Sequence, residues 1–339
     1  MTALLFASNL VSQPLRPACL ALAFGGLLAL LAGPAAATPA RTERRPYIEL
    51  GQACLPQPLP ASVLYLAGDA WKVDAKGNQT PLEEGMAIDE QEGVKTSPTA
   101  FVSLLLGDGS RIVLPSSSHV TLHLDEQKGI AQVALRAGQV ESYVLKRISD
   151  HDRFQVLTPV GVLGVRGTHF RARIEDRQAL AEVLDGRVAV NRDLTNDDLP
   201  VAGKRPLRKP PLARAEPDDD VLLDARRGLQ IKAHGKLTPV DLLPAPQLRG
   251  QGGEHGQSRQ WTLYLAPVQG AKRYRAQVAS DPDFLHIQQE RFSSTPQVSF
   301  SDLEAAFYHV RLSAFDNEGL EGQTSVYDIL YYPRRSDAR

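Results

Sequence analysis

Leu157-Thr158-Pro159-Val160-Gly161-Val162-Leu163-Gly164-Val165-Arg166-Gly167-Thr168-His169-Phe170 consists of two strand-forming stretches with Gly167 between them. A bend or a close backbone approach at that point favours glycine. Arg166 is expected to project from the bend and to make a fork of hydrogen bonds to nearby carbonyls or a carboxylate. Val165, Arg166, Gly167 and Thr168 are therefore the candidate structural or interaction motif. Beyond it, Phe170, Ala172 and Ile174 alternate with Arg171 and Arg173, the period of a strand. A second run follows, Ala181-Glu182-Val183-Leu184-Asp185-Gly186-Arg187-Val188-Ala189-Val190. Its Asp185-Gly186 pair predicts a tight hairpin.

The same grammar extends outward over Val63–Arg192. Val120, Leu122 and Leu124 alternate with Thr121 and His123, and Ala131, Val133 and Leu135 repeat the pattern. Gly107-Asp108-Gly109, Lys128-Gly129 and Ala137-Gly138 read as turns. No long amphipathic helix and no exact repeat is visible. The expectation is a coiled stack of short strands, a β-roll or β-helix-like body, or a sandwich.

Together with Ala100-Phe101-Val102-Ser103-Leu104-Leu105-Leu106-Gly107-Asp108-Gly109-Ser110, the two quoted runs resemble the FecR domain in order and spacing. The resemblance spans about 100 residues. It implies a periplasmic, β-helix-like fold for residues 61–192. The best-known members of that family carry a sigma-regulating domain in the cytoplasm. Here 17 residues precede the apolar N-terminal segment, so no such domain is expected and that role is not carried over.

Residues 193–250 change character. Pro200, Pro206, Pro210, Pro211, Pro217, Pro239, Pro244 and Pro246 predict extended chain, because proline lacks a ladder donor. Lys204, Arg205, Arg208, Lys209 and Arg214 read as solvated linker charges rather than a polyanion site, and Val221–Ile231 holds enough apolar residues for one or two packing strands. Residues 251–333 are strand-like again and predict a small antiparallel sandwich, with 334–339 as a tail. Gly250–Gly256 reads as flexible linker. Trp261, Tyr274, Arg275, Val278, Asp281, Phe284 and the run Tyr308–Gly319 resemble a fibronectin type III strand set. The predicted fold class is thus all-β: a FecR-like domain followed by an immunoglobulin or fibronectin III-like sandwich.

The N-terminus sets the expected compartment. Residues 1–16 carry only Arg16, Ala18–Gly33 is apolar, and Ala35-Ala36-Ala37 follows Pro34. That is the order of a secretory signal over residues 1–37, with cleavage after Ala37, and an uncleaved anchor is the alternative. Residues 38–60 read as an extended lead-in. Cys54 is the single cysteine left after Cys19 departs, and it reads as an inert thiol. The formal charge of -1 becomes -2 without Arg16, which gives no reason to expect nucleic acid.

Motifs for nucleophiles, zinc hydrolysis or phosphate cradling are missing from the sequence. His119 and His123 share a strand face but stand about 13 Å apart, too far for one metal ion. No enzyme activity, cofactor or metal is expected. Two roles remain. One is an interaction or sensory module with a protein partner in the envelope, such as a membrane-bound signalling protein. The other is binding of peptidoglycan or another polysaccharide, for which Trp71, Tyr331 and Tyr332 are the candidate aromatics.

Overall fold

Short aliphatic and β-branched runs, punctuated by Gly, Asp and Ser, build 25 strands in the computed structural model. It describes residues 58–125, 130–146, 154–192, 220–254 and 260–332. No helix occurs among them, and none is therefore long and apolar enough to cross a membrane. The signal-like segment, Cys54, the Lys128-Gly129 turn and the basic run from Lys204 to Arg214 lie outside the described residues.

The first part of the chain runs through β1 (Ala61–Ala67), β2 (Ala70–Val73), β3 (Gln79–Pro81), β4 (Ala87–Ile88), β5 (Gly93–Thr96) and β6 (Phe101–Leu105). It continues through β7 (Arg111–Leu114), β8 (His119–Asp125), β9 (Ile130–Ala137), β10 (Gln139–Tyr143), β11 (Phe154–Thr158) and β12 (Gly161–Val165). It ends with β13 (His169–Glu175), β14 (Gln178–Asp185), β15 (Arg187–Asn191), β16 (Asp220–Asp224), β17 (Arg227–Ile231) and β18 (Val240–Asp241).

These strands form two nine-stranded sheets, ordered β18-β17-β14-β13-β10-β7-β6-β1-β4 and β16-β15-β12-β11-β9-β8-β5-β2-β3. Successive single strands and hairpins switch from one sheet to the other, so the chain advances as a roll. Pairing is antiparallel except between β9 and β11. The body is thus a roll of hairpins rather than a parallel β-helix. Residues Asp220–Ile231 supply a strand to each sheet.

Between the sheets lies one core. Val63, Leu104, Ile112, Phe170 and Val183 from the first sheet meet Val94, Leu122, Leu135, Phe154 and Leu163 from the second. Phe154 and Phe170 touch edge-on across it, with ring centroids 6.5 Å apart.

The last seven strands are β19 (Leu248–Glu254), β20 (Gln260–Leu265), β21 (Arg273–Ala279), β22 (Ile287–Ser293), β23 (Gln297–Ser301), β24 (Ala306–Phe315) and β25 (Ser325–Tyr331). They make a three-stranded sheet, β19-β20-β23, and a four-stranded sheet, β22-β21-β24-β25. Trp261, Leu263, Tyr274, Ala276, Val310, Leu312 and Tyr331 fill the space between them. The linker reading of Gly250–Gly256 is corrected here: Leu248–Glu254 pairs with Gln260–Leu265, and its glycines sit on an edge strand.

Candidate functional site

The Val165-Arg166-Gly167-Thr168 motif is a corner where the chain leaves β12 in one sheet and enters β13 in the other. Val165 is buried in the core and Arg166 is exposed. Thr168 exchanges two backbone hydrogen bonds with Val144 (3.0 and 3.2 Å), and its Oγ1 donates to the Arg187 carbonyl (2.9 Å). Gly167 has φ 93°, and a Cβ there would stand 2.5 Å from Lys146 Cα. Gly186 has φ 84° and packs against Gly167 and Thr168, but it joins β14 to β15 in the opposite sheet. The tight hairpin expected at Asp185-Gly186 is therefore a second corner. Positive φ was legible, while the partner of the outgoing strand depends on the fold. Gly167→Ala is expected to cost roughly 2–3 kcal/mol by urea denaturation, because it adds left-handed strain to a backbone clash.

A larger cluster of polar groups lies on the outer face of the first sheet. Cross-strand register sets Glu141, Arg171 and Glu182 in one row across β10, β13 and β14. The outer face of the four-stranded sheet sets Arg275 opposite Ser313 and Gln277 opposite Arg311. The two faces pack against each other, and all seven of these side chains are buried.

Arg311 reaches from β24 to Glu141 with two parallel bonds, Nη1 to Oε1 and Nη2 to Oε2, each 2.7 Å. Its Nε donates to Gln277 Oε1 (2.8 Å), and its guanidinium lies 4.6 Å from the Phe284 ring centroid. Glu141 also meets His169 Nε2 at 2.7 Å and accepts from the Tyr143 hydroxyl at 3.0 Å. Glu321, just before β25, takes both Arg171 and Arg275 (Nη1, 2.9 Å) and the Ser313 hydroxyl. Arg171 Nη2 returns a bond to the Gly322 carbonyl (2.7 Å), and Arg275 also pairs with Glu290.

Burial opposes charge at Glu141, Glu321 and Glu182, and the balance between burial and the neighbouring arginines decides each outcome. Glu141 is desolvated, yet Arg311 and His169 hold its carboxyl well below the usual range. Glu321 is desolvated too, and Arg171 and Arg275 bring it down to about 2. At Glu182 burial wins and its carboxyl is pushed up, with Arg173 3.9 Å away offsetting only part. Ionising this carboxyl is thus a net cost. The stability linked to its protonated form is present in acid and lost as pH rises through the raised folded value. Glu182→Gln, which keeps an acceptor for the Glu321 N–H (3.1 Å), is expected to gain about 1 kcal/mol at pH 7 in urea denaturation and nothing in acid.

Two apolar contacts flank this polar seam. Phe101 and Val113 meet Ala279, Phe284, Leu285 and Ile287 on one side. Leu180 meets Leu242 and Leu320 on the other. Asp281 builds the first contact. Its carboxylate accepts from the backbone N–H of Asp283, Leu285 and His286 (3.0, 3.1 and 2.6 Å) and so folds the loop that presents Phe284. Asp281 is thereby the organiser of this loop.

The seam's charges are spent on one another, which suits mechanical coupling of the two halves. Among the described residues, no group of three or more His, Cys, Asp or Glu is placed to hold a metal. His119 and His123 remain on β8 and are not brought together. Nor are the aromatic candidates: Tyr331 stacks on Trp261 inside the sandwich (4.8 Å), Trp71 is half-buried on β2, and Tyr332 is exposed.

Residues 92–189 match the family described as FecR protein, a span that contains the corner motif and the body side of the seam. No curated protein matches the chain. Two crystal structures of a candidate anti-sigma factor from Parabacteroides distasonis ATCC 8503 are similar to it at 15% identity and a TM-score of 0.33. Those matches cover 44% of this chain and 59% of that one. The extracellular domain of a candidate one-component system from B. thetaiotaomicron is similar at 12% identity and a TM-score of 0.18, over 80% of this chain and 43% of the other.

Proposed function

We propose that this chain is an exported, non-catalytic protein of the cell envelope, acting as an interaction or sensory module for a protein partner in envelope signalling. The carrying observation is the buried seam. It joins a body whose residues 92–189 match FecR to a seven-stranded sandwich through charges that satisfy one another. Such a junction makes one rigid piece of the two halves, and leaves recognition to the outer surfaces.

The sandwich is read as fibronectin III-like. Its three- and four-stranded sheets, with the fifth of its strands completing the smaller one, support that reading. Export rests on the signal-like order of residues 1–37.

The test is expression of the C-terminally tagged chain with envelope crosslinking. A mature N-terminus at Thr38 in the periplasmic fraction and one reproducible crosslinked protein partner are expected. An unprocessed, membrane-retained chain overturns the export reading. Repeated capture of no partner overturns the interaction reading.

A further inference from the structure

The four-stranded sheet of the sandwich ends in a strand that lacks the usual protection of an edge. Among the described strands β25 pairs with β24 alone, through seven consecutive residue pairs without a register shift. It contains neither proline nor lysine, and Asp328 is its single charge. Sheet edges of this kind invite another strand, and proteins normally blunt them with proline, lysine, bulges or short length. The other edges here are blunted. β3 carries Pro81, β4 and β18 are two residues long, and β16 begins and ends with aspartate. β19 and β22 shift register, and β23 is approached by β22, whose Gln289 side chain donates to the Ser301 carbonyl at 2.9 Å.

The outer face of β25 is apolar apart from Asp328. Val326 is 50% exposed, Leu330 68% and Tyr332, one residue past the strand, 76%. Phe307, opposite Leu330 on β24, is 53% exposed. This ridge continues an existing interface, because Val326 stands opposite Arg311, the arginine that grips Glu141 of the body. One end of the face is therefore already a docked surface, and the other end is open.

We propose that an extended segment of a partner protein adds to β25 as a fifth strand of that sheet. Main-chain bonds would supply affinity, and alternate side chains would supply specificity. The partner strand would carry apolar residues beside Val326 and Leu330, with a basic residue between them beside Asp328. Asp328 is exposed and held by His309 at 2.7 Å. A second copy of this chain is a poorer occupant, because the antiparallel register centred on β25 sets Asp328 against itself.

The proposal rests on the interaction reading and fails separately from it. The probe is a labelled synthetic peptide in which threonine alternates with valine, lysine and leucine, titrated into the mature chain. Binding is expected with slowed amide exchange at residues 325–331, and about tenfold weakening by N-methylation of the peptide's edge or by glutamate for lysine. Leu330→Ser, at an exposed position, is expected to weaken binding without changing the fold. No binding, equal binding by the N-methylated peptide, or exchange protection elsewhere overturns the proposal. Self-association of the mature chain that Leu330→Ser abolishes also overturns it, in favour of a second copy. In crosslinked envelopes, undiminished partner capture by Leu330→Ser removes β25 as the site and leaves the interaction reading standing. Capture of nothing by either version overturns both.

Discussion

Glu141→Gln is expected to destabilise the chain by about 3–5 kcal/mol in urea denaturation. Arg311 is buried, and its guanidinium stays charged because an arginine side chain does not deprotonate in proteins. In the native seam Glu141 takes both of its terminal nitrogens, leaving Gln277 and the Tyr143 oxygen as lesser acceptors. A glutamine can accept one of the two bonds but cannot balance the charge, and its amide nitrogen must point at a donor. Desolvation of Arg311 then goes uncompensated.

The double variant separates pairing from packing. Glu141→Gln combined with Arg311→Met is expected to recover most of the loss, because a buried ion pair rarely outperforms an apolar replacement of similar volume. A double variant as unstable as the sum of the two single changes would mean that the residues act independently, and the seam would lose its role as a coupled unit. A single-variant cost under about 1 kcal/mol would place the pair in the class of exposed surface bridges. If recovery occurs, stability is not what distinguishes this pair. Its geometry is: a bidentate arginine fork fixes the angle at which the sandwich meets the body.

Much of the body was legible, and most of the seam was not. Alternation placed Phe170 and Ala172 inward on β13, and Leu122 and Val133 inward on β8 and β9, because a period of two reports which face of a strand meets the core. In the sandwich Tyr274, Ala276 and Val278 alternate with Arg275 and Gln277, and Val310 and Leu312 flank Arg311, so the same period puts these polar residues, like Arg171, on outward rows, where polarity ordinarily means solvent. It cannot report that two outward rows bury each other, since that depends on how the halves dock. A signal was present nonetheless. The outward residues Arg171, Arg173, Arg273, Arg275 and Arg311 are arginines without a lysine among them, and arginine is the residue favoured at desolvated interfaces. Gly167 was readable as a bend because it sits between two strand-forming runs. The role of Gly186 was not, because corner and hairpin both ask for positive φ.

Acid is expected to loosen the seam in a defined window. Glu141 and Glu321 both have folded carboxyls held below their ordinary value. The stability each contributes is complete above the unfolded pKa, near 4.5, and is lost as pH falls through the folded value, about 2 for Glu321. Over that window Glu321 alone accounts for about 3 kcal/mol at roughly 1.4 kcal/mol per pH unit, and Glu141 adds to it. Three other groups act at higher pH, with Glu182 opposing His119 and His123. Glu182 gives stability back as it protonates above the ordinary carboxyl range. His123, buried on β8 and lowered to about 4, costs stability as pH falls from 6.5 toward that value, because the unfolded chain takes up its proton first. Stability should therefore begin to fall near pH 6.5, as the unfolded chain protonates its histidines, less what Glu182 returns, and fall more steeply below about 4.5, where Glu141 and Glu321 titrate together. Trp71 in the body and Trp261 in the sandwich give one fluorescent reporter for each half. Glu321→Gln removes its share of the acid dependence while leaving Glu141, Glu182, His119 and His123 in place. Its stability curve should start several kcal/mol lower at neutral pH and converge on the wild type near pH 2. Parallel curves for the two proteins between pH 4.5 and 2 would mean that Glu321 is not held ionised by Arg171 and Arg275, and the seam would not be the acid-labile joint.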